Sequence, residues 1–535
     1  MKNKGLEGLS APAIEYINVL ENKVDQMQSQ IDQLTELLIK VNKDKFGSSS
    51  EKGKYVLSDE FLQDSLFNEA ESYADESTPE PVMVEKHARK AKRTKEELAK
   101  DLPVKEIIVD IPEDEQSCDI CESNDLYRIG REFVRRELCI IPAQAYVSEI
   151  YRITYGCNPC ANETEHSNII KAEVPIPVVK RGLASPSSVA HVMYQKYVNA
   201  MPLYRQEKDW KNFGVEISRA TLANWIIYTS TRWLVPLWKA FNVLLLESPV
   251  ILADETVTQV LKEPGKTPQS DSRMWVYCTG NVARAPPIVL FEYQPTRSGK
   301  HPKEFLKDVK NQFYLLTDGY AGYNAVGNAI HAGCWAHTRR KFEEAMPKNA
   351  PKDNKARIGF EYCQKLFLLE REFEDMQPDD RLNKRIEKSK PVYDMFYEWI
   401  ATVNPLAGSS LAKAVTYAVN QKEALSTFLQ DGCIEISTNR VENHIRPFTT
   451  GRKNWLFADT VNGAMASAVA YSIISTAIAN GINPFQYLQH LFTHLPTVLT
   501  KDNDADLSQF FPWNDDIQDK CKFAQAQNGQ LSLLG

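Results

Sequence analysis

The stretch IEISTNRVENHIRPFTTGRKNWLF, residues 434–457, sets one carboxylate, Glu442, in the middle of a strongly basic segment. Asn439 suits a helix N-cap and Glu442 lies three residues on, so one reading is a capping box in which the carboxylate returns to the cap's backbone N–H. Arg440, His444, Arg446, Arg452 and Lys453 far exceed what one cap needs, and they suit a polyanion. An acid among bases suggests a metal site beside a phosphate backbone, and a Mg²⁺ ion or a metal pair needs several carboxylates. Asp254 in LADETVTQVL and Asp318 in TDGYAGYN are the candidates to complete the set. Alone, each reads as a turn or edge residue; side by side, two acids raise each other's pKa unless a divalent cation sits between them. Glu255 is a rival to Asp254, because neighbouring strand residues face opposite sides. Glu435 is the alternative third acid.

A second kind of chemistry lies upstream. Cys118, Cys121, Cys157 and Cys160 form two CxxC pairs separated by 35 residues. Each pair can pinch one tetrahedral Zn²⁺, and the β-rich text between them supplies strands to bring the pairs together. A closed four-thiolate site is structural, with no open position for chemistry. Four free thiols are the alternative, and Cys139 and His166 are read as bystanders.

The elements that must position these groups are visible in the periodicity. Ile17, Leu20, Val24, Met27, Ile31, Leu34, Leu38 and Val41 keep a 3,4 spacing over four heptads, a coiled-coil seam that makes the chain a homo-oligomer. The alternative is an amphipathic helix packed on its own protein, which would show a wider apolar stripe. Residues 45–105 lose periodicity: 59–85 holds nine acids and no base, whereas 86–100 holds seven bases and two acids, a linker with a basic arm. Residues 171–235 read as helical. Within them FGVEISRATLANWI has the look of a turn and recognition helix in which Arg219 and Asn224 face DNA, an ordinary helical hairpin being the alternative.

Strands follow in PVILADETVTQVL, RMWVYCTGN and PIVLFEY, then a helix in HPKEFLKDV, a fourth strand running into a turn in FYLLTDGYAGYN, a fifth strand in IHAGCWAH, and the helix RRKFEEAM. In a ribonuclease H-like sheet the first and fourth strands are neighbours, so by that fold-level analogy Asp254 and Asp318 approach each other. Residues 343–432 read as a helical insertion, GAMASAVAYSIISTAIANG as a small-residue helix on the sheet, and the acidic tail from Thr500 as loosely held.

The chain has 535 residues, 43% of them hydrophobic and 25% charged, enough for several domains with cores of their own. Neither an export signal nor a run of about 18 apolar residues is evident, so a cytoplasmic protein with no membrane partner is expected. The net charge of −7 is segregated along the chain and does not exclude nucleic acid.

Over almost its full length the sequence resembles the transposases of the insertion sequence 66 family. The resemblance rests on the zipper followed by KFGSSSEK, the CxxC pairs, KYVNAMPLYRQE, LADETVTQVL, TDGYAGYN, GCWAHTRRKFEEA, NRVENHIRPFTTGRKNWLFA, NGINPFQYL and a late PWN, in that order. It implies a DDE transposase: a multidomain α+β and α/β chain with a ribonuclease H-like catalytic core carrying Asp254, Asp318 and Glu442 as catalytic acids and ligands of two Mg²⁺ or Mn²⁺ ions. Cys334 and His337 match the family's CWAH and are read as structural. The expected domains are a coiled coil (1–44), the linker (45–105), a zinc domain (106–170), a helix-turn-helix-like domain (171–235), the core (236–342 and 433–480) with its insertion (343–432), and a C-terminal region (481–535).

The leading reading is metal-dependent cleavage and strand transfer on DNA, with Arg219, Asn224, Arg440, Arg446, Arg452 and Lys453 as DNA contacts and accessory proteins of the same element as further partners. The alternatives are a DNA-binding regulatory protein or inactive remnant, and a ribonuclease H-like nuclease or junction resolvase.

Overall fold

The computed structural model describes residues 144–156, 169–280 and 286–523, together with Lys23 and Met27. The linker and Cys118, Cys121, Cys157 and Cys160 lie outside the described residues, as does the heptad seam apart from Met27, which is helical and exposed. Strands β1 (Thr154–Gly156) and β2 (Ile169–Lys171) pair antiparallel with Gly156 opposite Ile169, which closes the chain on either side of segment 157–168.

Four helices come next: α1 (Pro186–Tyr197), α2 (Leu203–Asn212), α3 (Arg219–Thr229) and α4 (Val235–Leu245). Ser185 starts α1 in a reciprocal cap with Ser188, and Pro186 takes the first helical position, where its missing N–H costs nothing. Gly214, at φ +78°, makes the turn between α2 and α3, a conformation that favours glycine. Ser218 then caps α3, its Oγ accepting from Thr221 N at 3.2 Å. The inward faces bury Leu222, Trp225, Trp233, Leu237 and Phe241.

The central sheet is built from β3 (Val250–Lys262), β4 (Asp271–Thr279), β5 (Val289–Gln294), β6 (Phe313–Thr317) and β7 (Ala329–Gly333), in the order β5-β4-β3-β6-β7. The first three strands form an antiparallel meander; β6 joins β3 in parallel, Ile251 opposite Leu315, and β7 joins β6 in parallel. Helix α5 (Lys300–Phe305) connects β5 to β6. The turn read after the fourth strand is a 3₁₀ turn, Ala321–Ala325, and it joins β6 to β7. One expectation needs correction. The CWAH segment is not strand: β7 ends at Gly333, Cys334 is extended, and α6 (Trp335–Ala345) begins at the tryptophan.

The insertion is helical: α7 (Lys355–Glu372), α8 (Pro378–Lys384), α9 (Lys390–Thr402), α10 (Ser410–Asn420) and α11 (Lys422–Ser426). Its centre is Arg385, fully buried. The guanidinium donates to both carboxylate oxygens of Glu370 (2.8 and 2.6 Å) and to the carbonyls of Phe428 and Asp431 (2.9 and 3.0 Å). The chain then returns to the sheet with α12 (Asn439–Trp455), the short strand β8 (Ala458–Thr460), which pairs in parallel with the far end of β3, and α13 (Val461–Ala479).

Helix α13 covers the open edge of β5. Ser472 Oγ accepts from Phe291 N at 2.8 Å and Thr476 Oγ1 from Val289 N at 3.0 Å, so hydroxyls stand where a further strand would otherwise pair. Among the described residues α13 alone is long and apolar enough to cross a membrane, which revises the reading that no such run exists, but most of it is buried on the sheet. The tail is held more firmly than its acidity implied. After α14 (Pro484–Lys501), Phe511 and Trp513 each pack 5.6 Å from the Phe241 ring, Tyr487 Oη donates to Phe510 O at 2.6 Å, and α15 (Asp515–Lys520) follows.

Candidate active site

Three elements converge at one end of the β3–β6 pair. Asp254 lies in the middle of β3, Asp318 follows directly on β6, and Glu442 sits in the first turn of α12. The parallel pairing of β3 and β6 forces the first two together, and α12 packs across β3 to bring the third. Burial, and then repulsion by Asp318, Glu255 and Glu442, hold the Asp254 carboxyl well above the ordinary carboxylate range. His337 opposes this.

Backbone amides fix the orientation of the first two acids. Glu255 N donates to Asp254 Oδ1 and Tyr320 N to Asp318 Oδ1, both at 2.8 Å. Gly319, at φ +88°, turns the chain immediately after Asp318, and Tyr417 Oη donates to the Asp318 carbonyl at 2.7 Å. Glu255 has a different role from Asp254, as strand alternation requires. Its buried carboxylate accepts from Arg297 Nε at 2.6 Å and Tyr323 Oη at 2.7 Å, and Arg297 in turn lies 4.1 Å from the Tyr320 ring. Burial and then Asp318 raise its pKa, opposed by Arg297 and the Tyr323 hydrogen bond.

Glu442 is not in a capping box. The cap is Thr438, with Asn439 already helical, so Glu442 falls one residue beyond the position from which it would reach back. The Thr438 N–H instead donates to Cys334 Sγ at 3.3 Å, and its single hydroxyl hydrogen lies between Cys334 Sγ (3.1 Å) and Glu442 Oε1 (2.9 Å). Facing Glu442 across the site is α6: His337 Nδ1 is 3.8 Å from Oε1 and Arg340 Nη2 is 3.7 Å from Oε2. His337 Nδ1 and Arg340 Nη1 are buried without a hydrogen-bond partner.

Burial opposes charge on both His337 and Cys334, and mutual attraction overcomes it. The imidazole holds the thiol below its usual range, while Cys334, then Glu442 and Asp318, push His337 up to about 9. Arg340 is a site residue that the sequence reading missed, and His337, read there as structural, faces Glu442. The signal was present in CWAHTRRK, where positions 337 and 340, three apart, share a helix face.

The basic residues of α12 divide into two groups. Arg446 and Lys453 are exposed. Arg440 pairs with Glu435 at 2.8 Å, which also occupies the alternative third acid away from the cluster. Arg452 donates to Thr256 Oγ1 (3.3 Å) and to the Val257 carbonyl, so it ties α12 to β3. His444 is driven down to about 4 by burial and Arg440, and is therefore neutral at pH 7 rather than one of the cations its neighbours suggested. In the helical module, Arg219 and Asn224 are both exposed on α3, and Glu207 accepts from the Arg219 N–H at 3.0 Å. Five residues apart on a helix, they diverge by roughly 140°.

The donor set at the acid cluster suits a hard divalent cation. Three carboxylates offer oxygen only, and a cation between them relieves the repulsion that raises Asp254.

Known proteins give the same direction. Residues 181–466 match the family described as Transposase IS66 family, 472–513 the IS66 C-terminal element, 115–161 the zinc-finger binding domain of transposase IS66, and 33–107 Transposase C of IS166 homeodomain. Two similar proteins of Sinorhizobium fredii carry the names Uncharacterized protein y4jD, 29% identical over 78% of this chain and 81% of its own, and Uncharacterized protein y4qI, 26% identical over 96% and 94%.

Proposed function

Because the chain belongs to the IS66 transposase family, we propose that Asp254, Asp318 and Glu442 form the catalytic centre of a metal-dependent DNA cleavage and strand-transfer reaction in a ribonuclease H-like core. The observation that carries this reading is the convergence of the three acids from β3, the end of β6 and the first turn of α12, where burial and then repulsion by neighbouring acids, Asp318 and Glu442 among them, raise Asp254. Two Mg²⁺ or Mn²⁺ ions held by these carboxylates would supply Lewis-acid polarisation of a phosphodiester and a more acidic attacking hydroxyl.

The chain's own residues do the rest. The amides of Glu255 and Tyr320 hold two carboxylates in fixed rotamers before substrate arrives, and Thr438 does the same for Glu442. Exposed Arg446 and Lys453 lie along the same helix as Glu442 and suit phosphates on either side of the scissile bond. In the cleavage step a water oxygen bonds to phosphorus, the P–O3′ bond breaks, and a free 3′-hydroxyl is left at the element's end. In the transfer step that hydroxyl attacks a target phosphodiester, and the target's own 3′-oxygen leaves. In each step the attacking hydroxyl gives up a proton, the leaving 3′-oxygen takes one up, and one P–O bond is made for the one broken, so no covalent enzyme intermediate is needed.

Glu442→Gln should lower Mg²⁺-dependent nicking of a labelled element end by more than about a hundredfold, since an amide is a poor ligand for a hard cation. Thermal melting and DNA gel shift should stay close to the parent, and Asp254→Asn and Asp318→Asn should share the defect. Robust nicking by purified Glu442→Gln protein would place the third acid elsewhere.

A further inference from the structure

The acid cluster explains one side of Glu442 and leaves the other unexplained. On that side lie a thiol, an imidazole and the carboxylate: the ligand atoms of Cys334, His337 and Glu442 all fall within 4.8 Å of one another. They come from the β7–α6 junction, the first turn of α6 and the first turn of α12, so the packing of those elements assembles them. His337 Nδ1 is buried 3.8 Å from Glu442 Oε1 with no hydrogen-bond partner of its own, while the ring attracts the Cys334 thiol. The thiol is supported from behind by the Thr438 N–H, the kind of outer contact that orients metal ligands.

We propose that Cys334, His337 and Glu442 form a second metal site, selective for a thiophilic divalent cation such as Zn²⁺, which shares Glu442 with the acid cluster. A thiolate–imidazole–carboxylate set is wrong for Mg²⁺, which takes oxygen donors, and right for Zn²⁺, with water or a substrate oxygen in the fourth position. Tetrahedral zinc with bonds of about 2.0–2.3 Å places its ligand atoms roughly 3.3–3.8 Å apart. Closure by about an ångström, within reach of rotation about the His337 side chain, completes the site. The site is separate from the four cysteines at 118, 121, 157 and 160. Zinc binding depends only on these three side chains, whereas its competition with Mg²⁺ for Glu442 rests on the proposed catalytic role.

The test counts metal in the full-length protein. After equilibrium dialysis against micromolar Zn²⁺, the parent should hold one more zinc per chain than Cys334→Ser, His337→Gln or Glu442→Gln. Co²⁺ loading should give a thiolate-to-cobalt absorption that Cys334→Ser weakens by one site's worth. His337→Gln guards against a folding failure of the buried cysteine variant, because its Nδ1 holds no partner to lose. Equal zinc in the parent and all three variants would overturn the proposal and leave Cys334 and His337 as a buried thiol–imidazole pair held by mutual attraction. Zinc lost from the first two variants but kept by Glu442→Gln would overturn the sharing of Glu442. A parent that binds this zinc yet never nicks DNA would count against the proposed catalysis and not against the site.

Discussion

Asp254 illustrates how a single side chain can be both indispensable and a burden. Its carboxyl sits in a strand interior, facing two other acids, and is raised by burial before any neighbour is counted. A carboxyl whose folded pKa lies above its unfolded value favours the folded state fully below the unfolded pKa, and loses that advantage as pH rises through the folded value. In EDTA, then, the parent should lose melting temperature as pH is raised through that value, while Asp254→Asn, which cannot ionise, should melt higher at the alkaline end and show the flatter profile. Mg²⁺ should restore the parent and do little for the variant. Parallel melting profiles for the two proteins would show that Asp254 is not under this load. Glu442 makes the complementary point about which residues the sequence discloses. Its acidity among bases stands out, but its true partners, Thr438 in the preceding turn and His337 and Arg340 on α6, depend on a helix start one residue earlier than the usual Asn cap suggests. Arg452 and His444 counted as cations in the sequence; one is tied to β3 and the other is neutral, because charge alone does not tell which way a side chain turns.

At the level of elements, the strands were the most legible part, because β3 to β6 carry β-branched and aromatic residues between clear turns. The CWAH boundary was less so: His331 to Cys334 are compatible with a strand, and the helix start is set by tertiary contact, with Trp335 N donating to the Ile436 carbonyl. The tail was misread because its acids are on the surface while Phe510, Phe511 and Trp513 provide the packing. The insertion gave helices readily but hid what binds them, since Arg385 in a charged run looks solvated and is instead fully buried. Arg385→Ala should leave Glu370 and the Phe428 carbonyl without the guanidinium donor in a dry site, at a cost of about 3–5 kcal/mol in denaturant-monitored stability. Arg385→Lys should rescue only part of this, because one ammonium cannot reproduce the fork. Hydrogen exchange at 428–438, the approach to α12, should quicken with it; a variant as stable as the parent would remove Arg385 as the insertion's anchor.

The whole molecule places this core downstream of long segments whose roles rest on sequence. A cut at paired element ends requires two active sites held together, and the heptads of residues 17–41 suit that purpose. Light scattering should give at least a dimer for the full chain and a smaller assembly for a version without residues 1–44; identical monomer masses for both would refute the zipper as the oligomerisation element. Within the core, one strand joins two of the acids. Strand β3 carries Asp254 at its middle and, from Val260 to Lys262, pairs with β8, which leaves α12 only two residues after Trp455. From Asp254 to Val260 is about 20 Å of strand, and from Glu442 to Trp455 about 20 Å of helix, so helix and strand are matched spans fastened at the far end, with Arg452 as a cross-tie. A residue gained or lost between Glu442 and Ala458 would rotate the carboxylate by about 100° and displace it by about 1.5 Å. The loops of the helical insertion face no such constraint. Length changes are therefore best tolerated in the loops between the insertion's helices, while the sixteen-residue interval from Glu442 to Ala458 is a fixed measure.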